Sequence, residues 1–150
     1  MRKLLVLVSL TVFAQSLWAQ SAGQKGVGVM FGNPTGLAGK LWRTEDQAID
    51  GGLGWSIGKH TNFSMHSDYL WHSKDALFIN DVPVDVYYGA GARMEFADNI
   101  ELGLRLPIGI AYNYQEAKAD MFAEIAPILD FISTRGVEIH LTAGARYYFD

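Results

Sequence analysis

A chain of 150 residues has room for one domain. Its formal net charge of −4 offers no basic excess for nucleic acid, and the absence of cysteine excludes disulfides, thiolate metal sites and a lipidated cysteine. Hydrophobic residues make up 49% of the sequence, yet no segment after the N-terminal one reaches the ~18 unbroken apolar residues of a membrane helix, so this content is distributed otherwise.

In chain order, Arg2 and Lys3 precede an apolar run from Leu4 to Phe13, followed by small and polar residues through Ser16, Ala19, Ser21 and Ala22. This is the layout of a secretory signal whose core is too short to span a bilayer. Cleavage is expected after Ala19, with Ala22 as the alternative. Residues 1–19 then form the signal peptide and 20–150 one barrel domain, and loss of Arg2 and Lys3 makes the chain more acidic.

The rest alternates with period two, the strand pattern that sends successive side chains to opposite faces. In 26–32, Val27, Val29 and Phe31 oppose Gly26, Gly28 and Gly32. In 36–43, Leu37 and Leu41 oppose Ala38, Lys40 and Trp42. In 47–57, Ile49, Leu53, Trp55 and Ile57 oppose Asp50, Gly52, Gly54 and Ser56. In 62–72, Phe63, Met65, Tyr69 and Trp71 oppose Ser64, His66, Asp68 and His72. In 84–93, Val84, Val86, Tyr88, Ala90 and Ala92 oppose Asp85, Gly89, Gly91 and Arg93. In 100–110, Ile100, Leu102, Leu104, Leu106, Ile108 and Ile110 oppose Glu101, Gly103, Arg105, Pro107 and Gly109. In 119–130, Met121, Ala123, Ile125 and Leu129 oppose Glu124, but Phe122 and Ile128 share its face, which leaves a short helix as the alternative. In 137–149, Val137, Ile139, Leu141, Ala143, Ala145, Tyr147 and Phe149 oppose Glu138, His140, Thr142, Gly144, Arg146 and Tyr148.

Eight such segments predict an all-β fold, an eight-stranded antiparallel up-and-down barrel. The apolar face meets lipid in a membrane barrel and lines the interior of a soluble one. Volume favours the membrane reading, because an eight-stranded interior cannot hold the large apolar residues of every strand. Glycine agrees: on a water-facing strand it is a liability, whereas in a crowded lumen it makes room for Arg93, Arg105, Arg146 and Trp42. Phe31, Trp55 and Phe63 are expected near one rim, and Tyr69, Trp71, Tyr147 and Phe149 near the other, as two interfacial girdles. Pro107 and Pro127 predict bulges and a weak seam. The connections 73–83 and 111–118 are the longest and fall on the predicted periplasmic side, where such barrels usually keep short turns.

Several motifs carry a resemblance. They are Pro34–Lys40 (PTGLAGK), Asp68–His72 (DYLWH), Tyr87–Arg93 (YYGAGAR), Leu104–Gly109 (LRLPIG), Phe122–Pro127 (FAEIAP) and Arg146–Phe149 (RYYF). In this order the chain resembles a family of small bacterial outer-membrane β-barrels, across nearly its whole mature length. The resemblance implies an outer-membrane location and brings no established activity or catalytic residue. The C-terminal aromatic resembles an assembly signal, although Asp150 follows Phe149 where that signal usually ends on Phe.

The polar face is rich in ionisable groups. Lys40, Asp68, His72, Arg93, Arg105, Glu124, Glu138 and Arg146 are read as a structural lumen network, in which Glu124 neutralises Arg105 or Arg146. Asp50, His66, Asp85, Glu101 and His140 share that face. Ser64, His66 and Asp68 fall on one face of one strand, but i and i+2 neighbours stand ~6.5–7 Å apart, too far for a relay. His66, His72 and His140 would converge on a metal only if the register cooperated. The reading is therefore a monomeric membrane barrel with no enzymatic role, no cofactor and no pore. Outer-membrane lipid and the barrel-assembly machinery are its expected partners. A lipid-modifying barrel enzyme and a soluble ligand-binding barrel are the alternatives.

Overall fold

The computed structural model describes residues 23–56, 62–96, 99–114, 116–131 and 136–149. The signal peptide and both candidate cleavage sites lie outside the described residues. Within them the strands are β1 (Lys25–Gly32), β2 (Thr35–Trp42), β3 (Gln47–Ser56), β4 (Asn62–Ile79), β5 (Val82–Phe96), β6 (Ile100–Arg105), β7 (Ile108–Tyr114), β8 (Ala119–Asp130) and β9 (Val137–Phe149). Neighbouring strands pair antiparallel, except that β6 and β7 each pair with β5 and β8 and not with each other, and β1 pairs with β9 to close the sheet on itself.

β6 and β7 are two halves of one barrel strand, so the ring has eight positions. Both halves lie between β5 and β8 in a single register: Arg105 faces Gly91 and Ile128, and Ile108 faces Tyr88 and Ile125. Proline accounts for the gap. Leu106 donates to the Pro127 carbonyl (3.0 Å) and Gly89 to the Pro107 carbonyl (2.9 Å). Neither proline has an N–H to return, so one ladder bond is missing on each side at the same height. The expected bulges do not form, because the register on either side of the gap is unchanged; the seam is a loss of bonds alone.

The helix alternative for 119–130 is also corrected. β8 is a strand paired on both edges, and Phe122 and Ile128 break the alternation because both are buried in the lumen. Glycines on neighbouring strands make the space. Phe122 stands opposite Gly144, where an added Cβ would sit 2.8 Å from its ring, and such an atom at Gly103 would sit 2.9 Å from Ile128 Cγ2.

The connection 73–83 is not a loop. β4 and β5 continue as a hairpin to a two-residue turn at Asn80 and Asp81, whose φ of 50° and 65° match the type I′ turns that suit twisted strand pairs. The register shifts between Ser73 and Leu77, and beyond the shift Val84, expected outside, is buried beside Asp85.

The connections β1–β2, β3–β4, β5–β6 and β8–β9 define an upper rim. Gly23, Phe149 and the connections β2–β3, β4–β5 and β7–β8 define a lower one. Aromatic residues ring both on the outer face. Phe63 and Phe96 pack at 6.1 Å near the upper rim, and Trp71 stacks on Tyr88 at 5.9 Å near the lower. Between these girdles Val27, Val29, Leu37, Leu53, Ile108, Ile125, Ile139 and Leu141 are exposed.

Candidate functional site: the packed lumen

The lumen is built from the inward side chains of every strand, in three tiers. Near the upper rim one guanidinium serves four carboxylates. Arg93 lies 3.0 Å from Glu95, 3.1 Å from Glu138, 3.2 Å from Asp130 and 3.7 Å from Glu101, and His140 Nε2 is 3.2 Å from its Nη1. Asn62 donates to Glu95 at 2.9 Å and extends this tier onto β4.

The middle tier centres on Arg105, which is 1% exposed. It donates to Asp68 Oδ2 at 2.6 Å through Nη1 and to Glu124 through Nη2. Tyr87 donates to the other Glu124 oxygen at 3.1 Å. A carboxylate on each side of a planar fork matches the hydrogen-bond geometry of guanidinium, and charge-assisted bonds of this kind are the strong ones.

The lower tier combines charge with rings. Arg146 donates through Nε to Asp120 at 3.0 Å, and Tyr148 donates to the second Asp120 oxygen at 2.6 Å. The Arg146 guanidinium also covers the Phe122 ring at 4.1 Å. Lys40 Nζ lies 2.8 Å from His72 Nε2 and 4.4 Å from the centroid of the fully buried Trp42. His72 packs in turn against Tyr87, with centroids 5.0 Å apart.

Seven of the eight network residues read from the sequence are buried here; Glu138 is half-buried near the upper rim. The structure places Glu124 against Arg105 and gives Arg146 to Asp120. Asp120 and Asp130 share the parity of Glu124 and therefore its face, but Phe122, Ala126 and Ile128 on that side hide the polar alternation that would single them out in the sequence. The three histidines do not converge: His66 lies by Asp68, His72 by Lys40 and His140 by Arg93. His66 Nε2 and Asp68 Oδ2 are 3.9 Å apart, beyond hydrogen-bond reach for a relay.

A closed ring with apolar, aromatic-girdled outer walls and a charged, packed interior defines a transmembrane β-barrel. A few large groups such as Trp42, Leu70 and Phe122 fill the lumen, but the apolar face of each strand, Val27, Leu37, Leu53, Ile108, Ile139 and Leu141 among it, is exposed on the outer wall, the reverse of the soluble reading. The chain matches the profile of the outer membrane protein beta-barrel domain over residues 4–150, and it belongs to that family and to the outer membrane. Comparisons with curated proteins and with solved structures returned no match.

Proposed function

We propose that the protein is a structural, surface-interacting barrel of a Gram-negative outer membrane that neither conducts nor catalyses. Its N-terminal signal exports it, the barrel-assembly machinery inserts it, and it works as a monomer surrounded by lipid. The observation that carries this reading is the filling of the lumen. Ion pairs between non-adjacent strands, Arg93 with Asp130, Arg105 with Asp68 and Arg146 with Asp50, reach across the interior in the three tiers, and Trp42, Leu70, Tyr87 and Ile128 occupy the space between them. An aqueous path would require breaking buried ion pairs, each costly to disrupt. The β4–β5 hairpin carries Leu77, Phe78, Ile79 and Val82 exposed beyond the lower girdle, an apolar surface for contact on the periplasmic side.

Planar-bilayer recording of the refolded barrel tests the closed lumen. Silent membranes are expected, and reproducible conductance steps would overturn the reading. Mass spectrometry of lipid A from a deletion strain tests the enzyme alternative, with an unchanged spectrum expected.

A further inference from the structure

We propose that Asp50, His66 and Asp68 form a binding site for a divalent transition-metal ion, of the zinc class, that ties β3 to β4 inside the lumen. Asp50 and Asp68 are direct cross-strand partners, and both are more than nine-tenths buried. Like charges facing each other across a strand pair are destabilising unless something neutralises them. The nearby cations are already shared. Arg105 serves Glu124 as well as Asp68, and Arg146 binds Asp120 and comes only within 3.9 Å of Asp50. Lys40 is the register partner of Asp50 on the other side, but its ammonium is turned to His72.

Two independent observations point from this cluster to a ligand. Asp50 Oδ1 is a buried oxygen with no hydrogen-bond partner, a costly condition for a carboxylate, while Asp68 faces His66 through Oδ2, its Oδ1 lying over Gly91 on β5. The His66 ring, moreover, leans across onto β3: its register partner is Gly52, where an added Cβ would sit 2.5 Å from His66 Cε1. Gly52 lies two residues along β3 from Asp50 and on the same face. One nitrogen and two carboxylate oxygens come within 4.8 Å of one another. Zinc-type ions take ligands at ~2.0–2.2 Å, so small side-chain rotations close this set around one ion. Imidazole with two carboxylates selects a borderline transition ion over calcium or magnesium, which prefer all-oxygen shells. Three protein ligands leave a coordination position for water.

The test uses the full mature chain refolded in detergent with and without zinc sulfate, followed by gel filtration and elemental analysis. One zinc per barrel is expected, together with a higher thermal midpoint of the heat-modifiable band. D50N and H66Q should fold, as judged by that band, and lose stoichiometric zinc; H140Q, at a histidine outside the cluster, should keep it. A zinc-free native barrel, or loss of zinc in H140Q with retention in H66Q, would overturn the site. Should the variants fail to fold, copper(II) loaded into the native barrel gives a second readout. Its paramagnetic resonance should show coupling to one imidazole nitrogen, and a spectrum without nitrogen coupling would equally refute the proposal.

Discussion

Tyr87 occupies the space opposite Gly109. The two are register partners on β5 and β7, and an added Cβ at Gly109 would meet Tyr87 Oη at 2.5 Å and the Ala123 carbonyl at 2.7 Å. The same pairing of a large side chain with a facing glycine recurs at Tyr148 and Gly26, Leu70 and Gly89, and Arg93 and Gly103. The glycines of the polar face are thus the complement of its large groups, and this is how so narrow a lumen holds so many of them. Gly109→Ala should lower stability by about 1–3 kcal/mol through overpacking. Gly39 is the contrast: it faces outward, and a Cβ there meets nothing nearer than the Gly26 carbonyl at 3.8 Å. Gly39→Ala should leave stability unchanged within about 0.5 kcal/mol. Urea unfolding in lipid vesicles measures both.

Arg105 links Asp68 on β4 to Glu124 on β8 across the barrel interior. Arg105→Leu strands two buried carboxylates and should cost about 3–5 kcal/mol, the range for breaking buried pairs. Glu124→Gln should cost less, since Asp68 still answers Arg105 and the new amide oxygen can accept from Tyr87. The temperature at which the compact gel band is lost ranks the two variants, and an unchanged temperature for Arg105→Leu would contradict this role.

At the proline seam the prediction is a gain. Pro127→Ala returns an N–H opposite the Leu106 carbonyl and should add about 1 kcal/mol, the net contribution of one hydrogen bond. Hydrogen exchange of the Leu106 and Gly89 amides should be faster than at neighbouring ladder positions in the native barrel, and slower at Leu106 in the variant.

The projecting β4–β5 hairpin shares the lower rim with both described chain ends, Gly23 and Phe149. With that rim in the periplasm, trypsin added to intact cells should cut at Lys59, in the β3–β4 connection, and reach Lys74 only after permeabilisation. Cleavage of intact cells at Lys74 alone would reverse the orientation.

The faces of the strands were legible in the sequence because period two is local: Ile139 and His140 need no partner to declare opposite sides. Adjacent-strand relations such as Arg105 with Glu124 were legible for the same reason, once the order of strands was assumed. What stayed hidden depends on long-range register. The four acids around Arg93 come from β5, β6, β8 and β9, and nothing local in the sequence says that they reach one guanidinium. Asp50 escaped grouping with His66 and Asp68 because it lies on a different strand. Beyond Ser73 the sequence reads as a connection because Ser73, Lys74 and Asp75 interrupt the alternation at the register shift, although Asn80–Asp81 carries the chemistry of a tight hairpin turn.

The apolar side of each strand faces hydrocarbon while the polar side faces its fellows, and this orientation can be measured directly. The chain has no native cysteine, so single cysteines can be placed along β9 and spin-labelled in vesicles. Labels at 139, 141, 143 and 145 should be accessible to dissolved oxygen and shielded from a water-soluble nickel reagent, while labels at 140, 142 and 144 should be immobilised and reached by neither. Oxygen accessibility that peaks at the even positions, or shows no two-residue period, would contradict it.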